Sequence, residues 1–397
     1  MTATSKVLHV SPAFIDHLQQ KIQEGWPLTW AETFLTQKFA EAGIKVGGHH
    51  AYDIQVKNKD FFWKVLREGN LGLGESYMEG GWETKKLDEF FFRLLRSEID
   101  EKQPWQWLKK LRILPNYFVN MHTPQMSKSA AELHYNFSND LFSAFLDPYL
   151  QYSCAYFDGN DTLAKAQERK LALICKKLNL QPNDHLLDVG CGWGGLMKFA
   201  TQRTGCKCSG VNISAKQIEF ARDFCKDLPI EIIEQDYRNI SGVYSKGVSV
   251  GMFEHVGRKN YRNFFETVHR SLDNDAVFLL QTIGSNDCQN ATDRWITQYI
   301  FPNGYLPSLN EITSAVEGLF VVEDIHNIGP NYDKTLMAWN NALNKHWAEF
   351  SEKFDKKTHR MWNYYLQSCA GAFRARNMQC WQIVLTKSHR QQPGQLR

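Results

Sequence analysis

Leu186-Leu187-Asp188-Val189-Gly190-Cys191-Gly192-Trp193-Gly194-Gly195 decides how the rest of this chain is read. The apolar run around Asp188 predicts a short, buried parallel strand. The glycines after it predict a sharp turn into a helix that starts near Leu196. Glycine at 190 and 192 lets backbone approach a ligand closely, because a Cβ there would occupy the ligand's space. A dinucleotide fingerprint is one reading of such a loop. The spacing here, however, is Gly-x-Gly-x-Gly-Gly, and the acid precedes the first glycine. A nicotinamide site also calls for Asp or Glu about 20 residues on, after the second strand. The chain has Val211-Asn212-Ile213-Ser214 there, with no acid.

From Asn183 onward, apolar runs alternate with helical patterns such as Ala215–Asp227 and Asn260–Leu272. Strands are predicted at His185–Val189, Cys206–Ile213, Ile230–Gln235, Gly247–Met252, Ala276–Ile283, Phe320–Ile325 and Gln379–Thr386. That rhythm predicts an α/β fold, a seven-stranded, doubly wound, mostly parallel sheet with the glycine loop at its switch point. Asp-x-Gly-x-Gly-x-Gly after the first strand resembles the S-adenosylmethionine (SAM) loop of class I, Rossmann-like methyltransferases. The long interruptions Ser285–Leu309 and Asp333–Asn377 are expected to cover the carboxyl edge of the sheet, where a substrate would sit.

Residues 1–104 lack this rhythm and read as a small, mainly helical domain. Helices are predicted at Glu32–Ala42, Asp60–Glu68 and Leu87–Leu95, with a glycine-punctuated loop at Gly69–Ser76. A linker region, 105–128, separates it from a catalytic domain at 129–397. In the linker, Trp107, Leu108, Leu111 and Leu114 share a helical face flanked by Lys109, Lys110 and Arg112. That pattern suits either an anionic membrane surface or packing between domains.

Composition removes several classes of function. The 397 residues are ample for a sizeable core. A net charge of +3 without a basic block argues against nucleic acid as a partner. Nine cysteines, an odd number in strand-like and helix-like surroundings, do not make a disulfide scaffold. Cys206-x-Cys208 has no second Cys/His pair at zinc spacing, so no metal is expected. There is no apolar leader and no run of about 18 apolar residues, so a cytoplasmic protein without a spanning helix is expected. The 25 Phe, 15 Tyr and 12 Trp suit lipid and carbocation chemistry.

Ordered motifs narrow the reading. Gln151-Tyr152-Ser153-Cys154-Ala155-Tyr156-Phe157 precedes the glycine loop, and Gly251-Met252-Phe253-Glu254-His255-Val256-Gly257 follows it. Then come Thr282-Ile283-Gly284-Ser285, Tyr299-Ile300-Phe301-Pro302-Asn303-Gly304 and the stretch from Tyr332 to Trp339. Cys369-Ala370-Gly371-Ala372-Phe373-Arg374 closes the series. Together these resemble the bacterial cyclopropane-fatty-acyl-phospholipid synthases and, more distantly, the mycolic acid cyclopropane synthases. The resemblance covers nearly the whole chain, including Val56-Lys57-Asn58 through Gly81-Trp82, which the mycolic enzymes lack. It implies an enzyme that transfers the methyl carbon of SAM to the cis double bond of an unsaturated acyl chain in a membrane phospholipid. It also implies peripheral association with the inner face of the membrane and a homodimer.

An alkene is a poor nucleophile, so the reaction needs a strong electrophile held at near-attack distance. It leaves a carbocation, for which Tyr332, Tyr299 and Phe253 are the candidate aromatic faces. For the base, the resemblance implies a bound bicarbonate ion with ligands at Cys154, Glu254, Tyr332, the Ile283 backbone and Gln281. Glu254 can accept the bicarbonate hydroxyl proton, while Tyr332 and backbone N–H groups donate. A solvated strand-end glutamate is the plain alternative. The familiar synthases carry His where this chain has Gln281, and Gln donates an amide hydrogen but cannot become cationic. Cys369 is the family's candidate nucleophile by motif. No base adjoins it in sequence and direct transfer needs no covalent step, so it reads as structural.

The SAM set implied by the resemblance begins with Tyr152 and Ser153. It continues through Leu186, Leu187, Asp188, Val189, Gly190, Cys191, Gly192, Trp193 and Gly194. Asn212, Ile213, Ser214, Gln217, Asp236 and Tyr237 complete it. Asp188 is expected to orient the loop or the methionine ammonium, Gln217 to bond ribose hydroxyls, and Asp236 to accept from the adenine amino group. Three rivals stay open: a sibling methyltransferase giving methyl- or methylene-branched chains, a nicotinamide oxidoreductase, and a lipid-binding module without catalysis.

Overall fold

The computed structural model describes residues 28–97, 139–288, 292–388 and 390–391. The chain divides into two compact units, Met1–Leu114 and Pro115–Arg397. The linker region 105–128, with its basic-aromatic face, lies outside the described residues.

In the first unit, α1 (Leu28–Glu41) leads to β1 (Gln55–Val56), α2 (Asp60–Glu68), α3 (Asn70–Met78), β2 (Trp82–Glu83) and α4 (Leu87–Arg96). The amphipathic helices α2 and α4 bury Phe61, Phe62, Phe90 and Phe91. Trp82 packs among them, its ring 6.0 Å from Phe61 and 5.1 Å from Phe90, and its indole N–H donates to Leu73 O at 2.9 Å. The predicted loop at Gly69–Ser76 is instead largely helix α3. A Cβ on Gly72 would lie 2.1 Å from Lys64 O, so that glycine permits two helices to touch rather than a turn.

The second unit opens with α5 (Asn139–Phe145) and α6 (Leu163–Leu178), then β3 (His185–Val189), α7 (Gly195–Thr204), β4 (Lys207–Asn212) and α8 (Ala215–Phe224). It continues with β5 (Ile230–Glu234), β6 (Tyr244–Val250), α9 (Tyr261–Arg270), β7 (Leu272–Ser285), α10 (Arg294–Tyr299) and α11 (Leu309–Val316). Last come β8 (Val321–Asn327), α12 (Pro330–His346), α13 (Lys356–Arg374) and β9 (Met378–Thr386). The strand order is β5-β4-β3-β6-β7-β9-β8, parallel except at β9, which runs antiparallel to both neighbours. Order reverses between β3 and β6, so the glycine loop after β3 sits at the switch point. This is the expected α/β architecture, a seven-stranded, doubly wound, mostly parallel sheet.

Alternation along the strands builds two cores. Leu187 and Val189 of β3 join Phe278, Leu280 and Ile383 on one face, whereas Leu186 joins Val277, Leu279 and Val384 on the other. Asp188 therefore shares the face of Leu186. Gln281 and Gln382 lie on that face too, each an even number of residues from Leu279 or Val384. Among the described residues, no helix is long and apolar enough to cross a membrane.

Candidate active site

The carboxyl ends of β3, β4, β5 and β6 open onto one cavity. Its lining contains Tyr152, Ser153, Asp188, Gly190, Cys191, Gly192 and Trp193, together with Asn212, Ile213, Gln217, Asp236 and Tyr237. Gly190 has φ +87°, and a Cβ on it would come within 2.6 Å of Met252. Only glycine makes this turn without displacing the next strand's end. Asn212 fills the place where a dinucleotide enzyme would carry its acid. Its amide donates to Gly192 O and Gln217 Oε1, and its Oδ1 accepts from the N–H groups of Ile213 and Ser214. Asn212 thus ties the loops after β3 and β4 together. Asp236 already accepts from Arg238, at 2.8 Å from Nη1 and 3.0 Å from the backbone N–H. The Tyr237 hydroxyl is buried, and the Arg238 guanidinium lies over its ring, 4.9 Å from the centroid.

Not every expected residue reaches the cavity. Leu186, Leu187 and Val189 point into the two cores, whereas Asp188, on the face of Leu186 but nearer the carboxyl end of β3, lines the cavity. Gly194 caps α7 against Cys225, and Ser214 caps α8, so neither lines the cavity. Phe253 is also core rather than a cation-facing ring. It is fully buried and stacks on Tyr261 at 4.2 Å. Tyr299 lies beside Trp295, 5.4 Å away, and Tyr332 stacks on Phe373 at 4.5 Å. The structure adds lining residues that pattern reading missed, among them Met252, His255 and Phe301.

Beneath the cavity lies a buried polar layer that was likewise missed. Lys170 and Gln167 occupy the buried face of α6 beside Ala166, Leu171 and Ile174. Polar residues at core spacing of a helix were the available signal. Burial brings the Lys170 ammonium down to about 8, against the opposing pull of Asp147, Cys154, Asp188 and Cys380. Burial likewise raises the Asp188 carboxyl to about 7, with Lys170 holding it back.

Glu254 belongs to a second, adjoining group. It sits in the 3₁₀ turn Phe253–His255 just after β6, between the cavity residues Met252 and His255. Its Oε1 accepts from the Ile283 N–H at 2.6 Å, and its Oε2 is buried without a partner among the described residues. Burial pushes this carboxyl up to about 7, partly offset by the Ile283 bond and by Thr282. The Ile283 N–H, expected to reach a bound anion, is thus spent on Glu254. Gln281 accepts at Oε1 from Gln382 Nε2 at 2.9 Å, which leaves its amide hydrogens to donate. Burial first, then the nearby Cys380, Cys154 and Glu254, hold the Tyr332 phenol protonated. Cys154 is fully buried, its thiol 3.7 Å from Ile328 O. Cys369 sits instead beside Asp293, and burial pushes its thiol up to about 12, far from a thiolate at neutral pH. Among the described residues, no group of three or more His, Cys, Asp or Glu is placed to hold a metal; Cys206 and Cys208 lie in the core, their sulfurs 3.8 Å apart.

Residues 122–383 match the family described as mycolic acid cyclopropane synthetase. The chain is 46% identical over 348 residues to the cyclopropane-fatty-acyl-phospholipid synthase of Escherichia coli strain K12, covering 88% of this chain and 91% of that protein. It is 33% identical over 360 residues to a probable fatty acid methyltransferase of Pseudomonas putida, covering 85% and 87%. Among solved structures, it is similar to mycolic acid cyclopropane synthase CmaA1 in complex with SAH and CTAB. That similarity has a TM-score of 0.62 and 31% identity, and it covers 66% of this chain and 98% of that one. With its fold, glycine loop and motif order, the chain belongs to the mycolic acid cyclopropane synthetase family of SAM-dependent methyltransferases.

Proposed function

We propose that this protein converts cis double bonds of unsaturated acyl chains in membrane phospholipids into cyclopropane rings, with SAM as carbon donor. The higher identity to the Escherichia coli synthase than to the fatty acid methyltransferase supports the ring over a branched product. The observation that carries the reading is Glu254, a buried carboxyl raised to about 7, held by the Ile283 N–H at one oxygen and without a hydrogen-bond partner among the described residues at the other, in the turn between two cavity residues.

The residues fit the cofactor. Asp188 offers a carboxylate for an ammonium group, the turn at Gly190 brings backbone close, and the Tyr237 ring adds an aromatic wall. SAM supplies an electrophilic methyl carbon when bound. Gln217 keeps an amide for a ribose hydroxyl. Asp236 is already engaged by Arg238, so it serves an adenine amino group with its remaining lone pairs.

The second group fits bicarbonate as the family's base through its side chains. Glu254 Oε2 accepts a hydroxyl hydrogen, and Tyr332 and the Gln281 amide donate. Ile283 acts through Glu254, fixing its carboxyl by the short N–H bond. Tyr332 also presents an aromatic face to developing positive charge. Cys154 closes the apolar wall, and Cys369 takes no covalent part.

The first unit and the basic-aromatic region 105–128 serve the membrane surface, in a homodimer. Replacing Lys109, Lys110 and Arg112 by Gln is expected to weaken binding to anionic vesicles by about 1 kcal/mol per charge. Unchanged co-sedimentation at low salt would refute that role. The whole reading is tested by incubating the enzyme with SAM and vesicles of a mono-unsaturated phospholipid. Fatty-acid analysis should show chains one CH₂ heavier without an alkene signal, whereas unmodified chains or branched chains would contradict it.

A further inference from the structure

Lys170 is a cation that the proposed chemistry does not use, yet it is wholly buried in the middle of α6. Methionine would fill a similar volume beside Leu171 and Ile174 without the cost of stripping water from an ammonium. What the lysine adds is direction. Its Nζ donates to Gln151 Oε1 at 2.5 Å and to Ser153 Oγ at 3.1 Å. One turn earlier, Gln167 Nε2 donates to the carbonyls of the same two residues, at 3.2 Å and 2.9 Å. From the other side, Asp147 accepts from the N–H groups of Gln151 and Tyr149, at 2.8 Å and 2.9 Å.

The segment so gripped forms one wall of the cavity. Gln151, Tyr152 and Ser153 all line it, and Cys154 follows immediately on the way to the Glu254 group. The segment has little freedom to shift toward α7, since a Cβ on Gly195 would strike Tyr149 O. Asp188, which also lines the cavity, and the thiols of Cys154 and Cys380 act electrostatically on the ammonium.

We propose that Lys170 is a positioning residue of the cofactor site, which clamps Gln151 and Ser153 from below and thereby sets Tyr152 and Ser153 against the bound cofactor. This rests on the reading of the cavity as the SAM site. Two charge-assisted hydrogen bonds converge on side chains that no other described donor reaches at those atoms. Their loss should therefore appear in cofactor affinity and not only in stability.

The test titrates S-adenosylhomocysteine into wild type, Lys170→Met and Lys170→Gln by calorimetry, alongside KM for SAM and kcat on vesicles. Absence of binding to wild type would refute the cavity reading itself and leave the clamp without an object. With wild-type binding present, folded Lys170→Met should bind at least about tenfold more weakly, with the loss in KM rather than kcat. Lys170→Gln keeps a donor and should recover part of it. Affinity within about twofold of wild type in folded Lys170→Met, or a loss confined to kcat, would overturn the proposal. If Lys170→Met does not fold, Lys170→Gln decides alone: weakening of about threefold or more supports the clamp, and unchanged affinity overturns it.

Discussion

The cavity at the switch point and the Glu254 group lie side by side but are built in different ways. Most of the cavity comes from strand ends and a glycine turn that follow one another in sequence order from β3 to β6, with the segments 150–153 and 301–303 added to its lining. The Glu254 group is made mostly by side chains from distant segments: Cys154 before α6, Glu254 after β6, Gln281 on β7, Tyr332 on α12 and Gln382 on β9, with the Ile283 backbone N–H of β7. The proposed function therefore predicts that cofactor binding and proton removal are separable, each open to damage while the other survives.

The largest effect expected from that separation is at Glu254. Glu254→Gln should cut turnover on vesicles by on the order of 10²-fold or more while leaving S-adenosylhomocysteine affinity within about twofold. Wild-type turnover would remove Glu254 from the proton-removal site, and lost affinity would show that the two regions are not separate. Asp188→Asn should behave in the opposite way. Removing the carboxylate should raise KM for SAM on the order of tenfold, with a smaller change in kcat, as expected for a charge-assisted bond to an ammonium. An unchanged KM would mean that Asp188 only shapes the loop.

The legibility of these regions followed their construction. Strands β3 and β9 could be placed within a residue because buried strands read as apolar runs bounded by breakers. The loop was legible for the same reason, since its residues are contiguous. Contiguity also misled: Leu186, Leu187 and Val189 belong to the motif yet face the core, and Phe253 adjoins Glu254 yet stacks on Tyr261. Gly72 read as a turn because its partner, Lys64 O, lies on another helix. The Lys170 layer and the Gln281–Gln382 bond join segments far apart in the chain. Neither is visible until the fold brings them together. Glu254 was found through a family resemblance, but its bond to the Ile283 N–H was not.

Two smaller effects sharpen the chemistry of the second region. Ionised Glu254 is the accepting form, and its carboxyl is raised to about 7, so kcat should rise as pH increases through that value. A flat kcat between pH 6 and about 8 would show that Glu254 does not titrate in turnover. Gln281 presents a neutral amide donor, fixed by Gln382 at 2.9 Å. Gln281→His should lower the bicarbonate concentration needed for half-maximal rate by roughly fivefold, because a charged donor binds more strongly than a neutral one. Full activity in rigorously bicarbonate-depleted enzyme would contradict that and leave Glu254, or a water beside it, as the base.

The central claim is that this site removes a proton from the transferred carbon and closes a ring. The direct measurement uses SAM carrying a trideuterated methyl group, vesicles of a mono-unsaturated phospholipid, and mass spectrometry with proton NMR of the product chains. The account predicts that each modified chain gains one carbon, retains two of the three deuterium atoms and shows no alkene signal. Retention of all three deuterium atoms, or a surviving alkene in the modified chain, would contradict it.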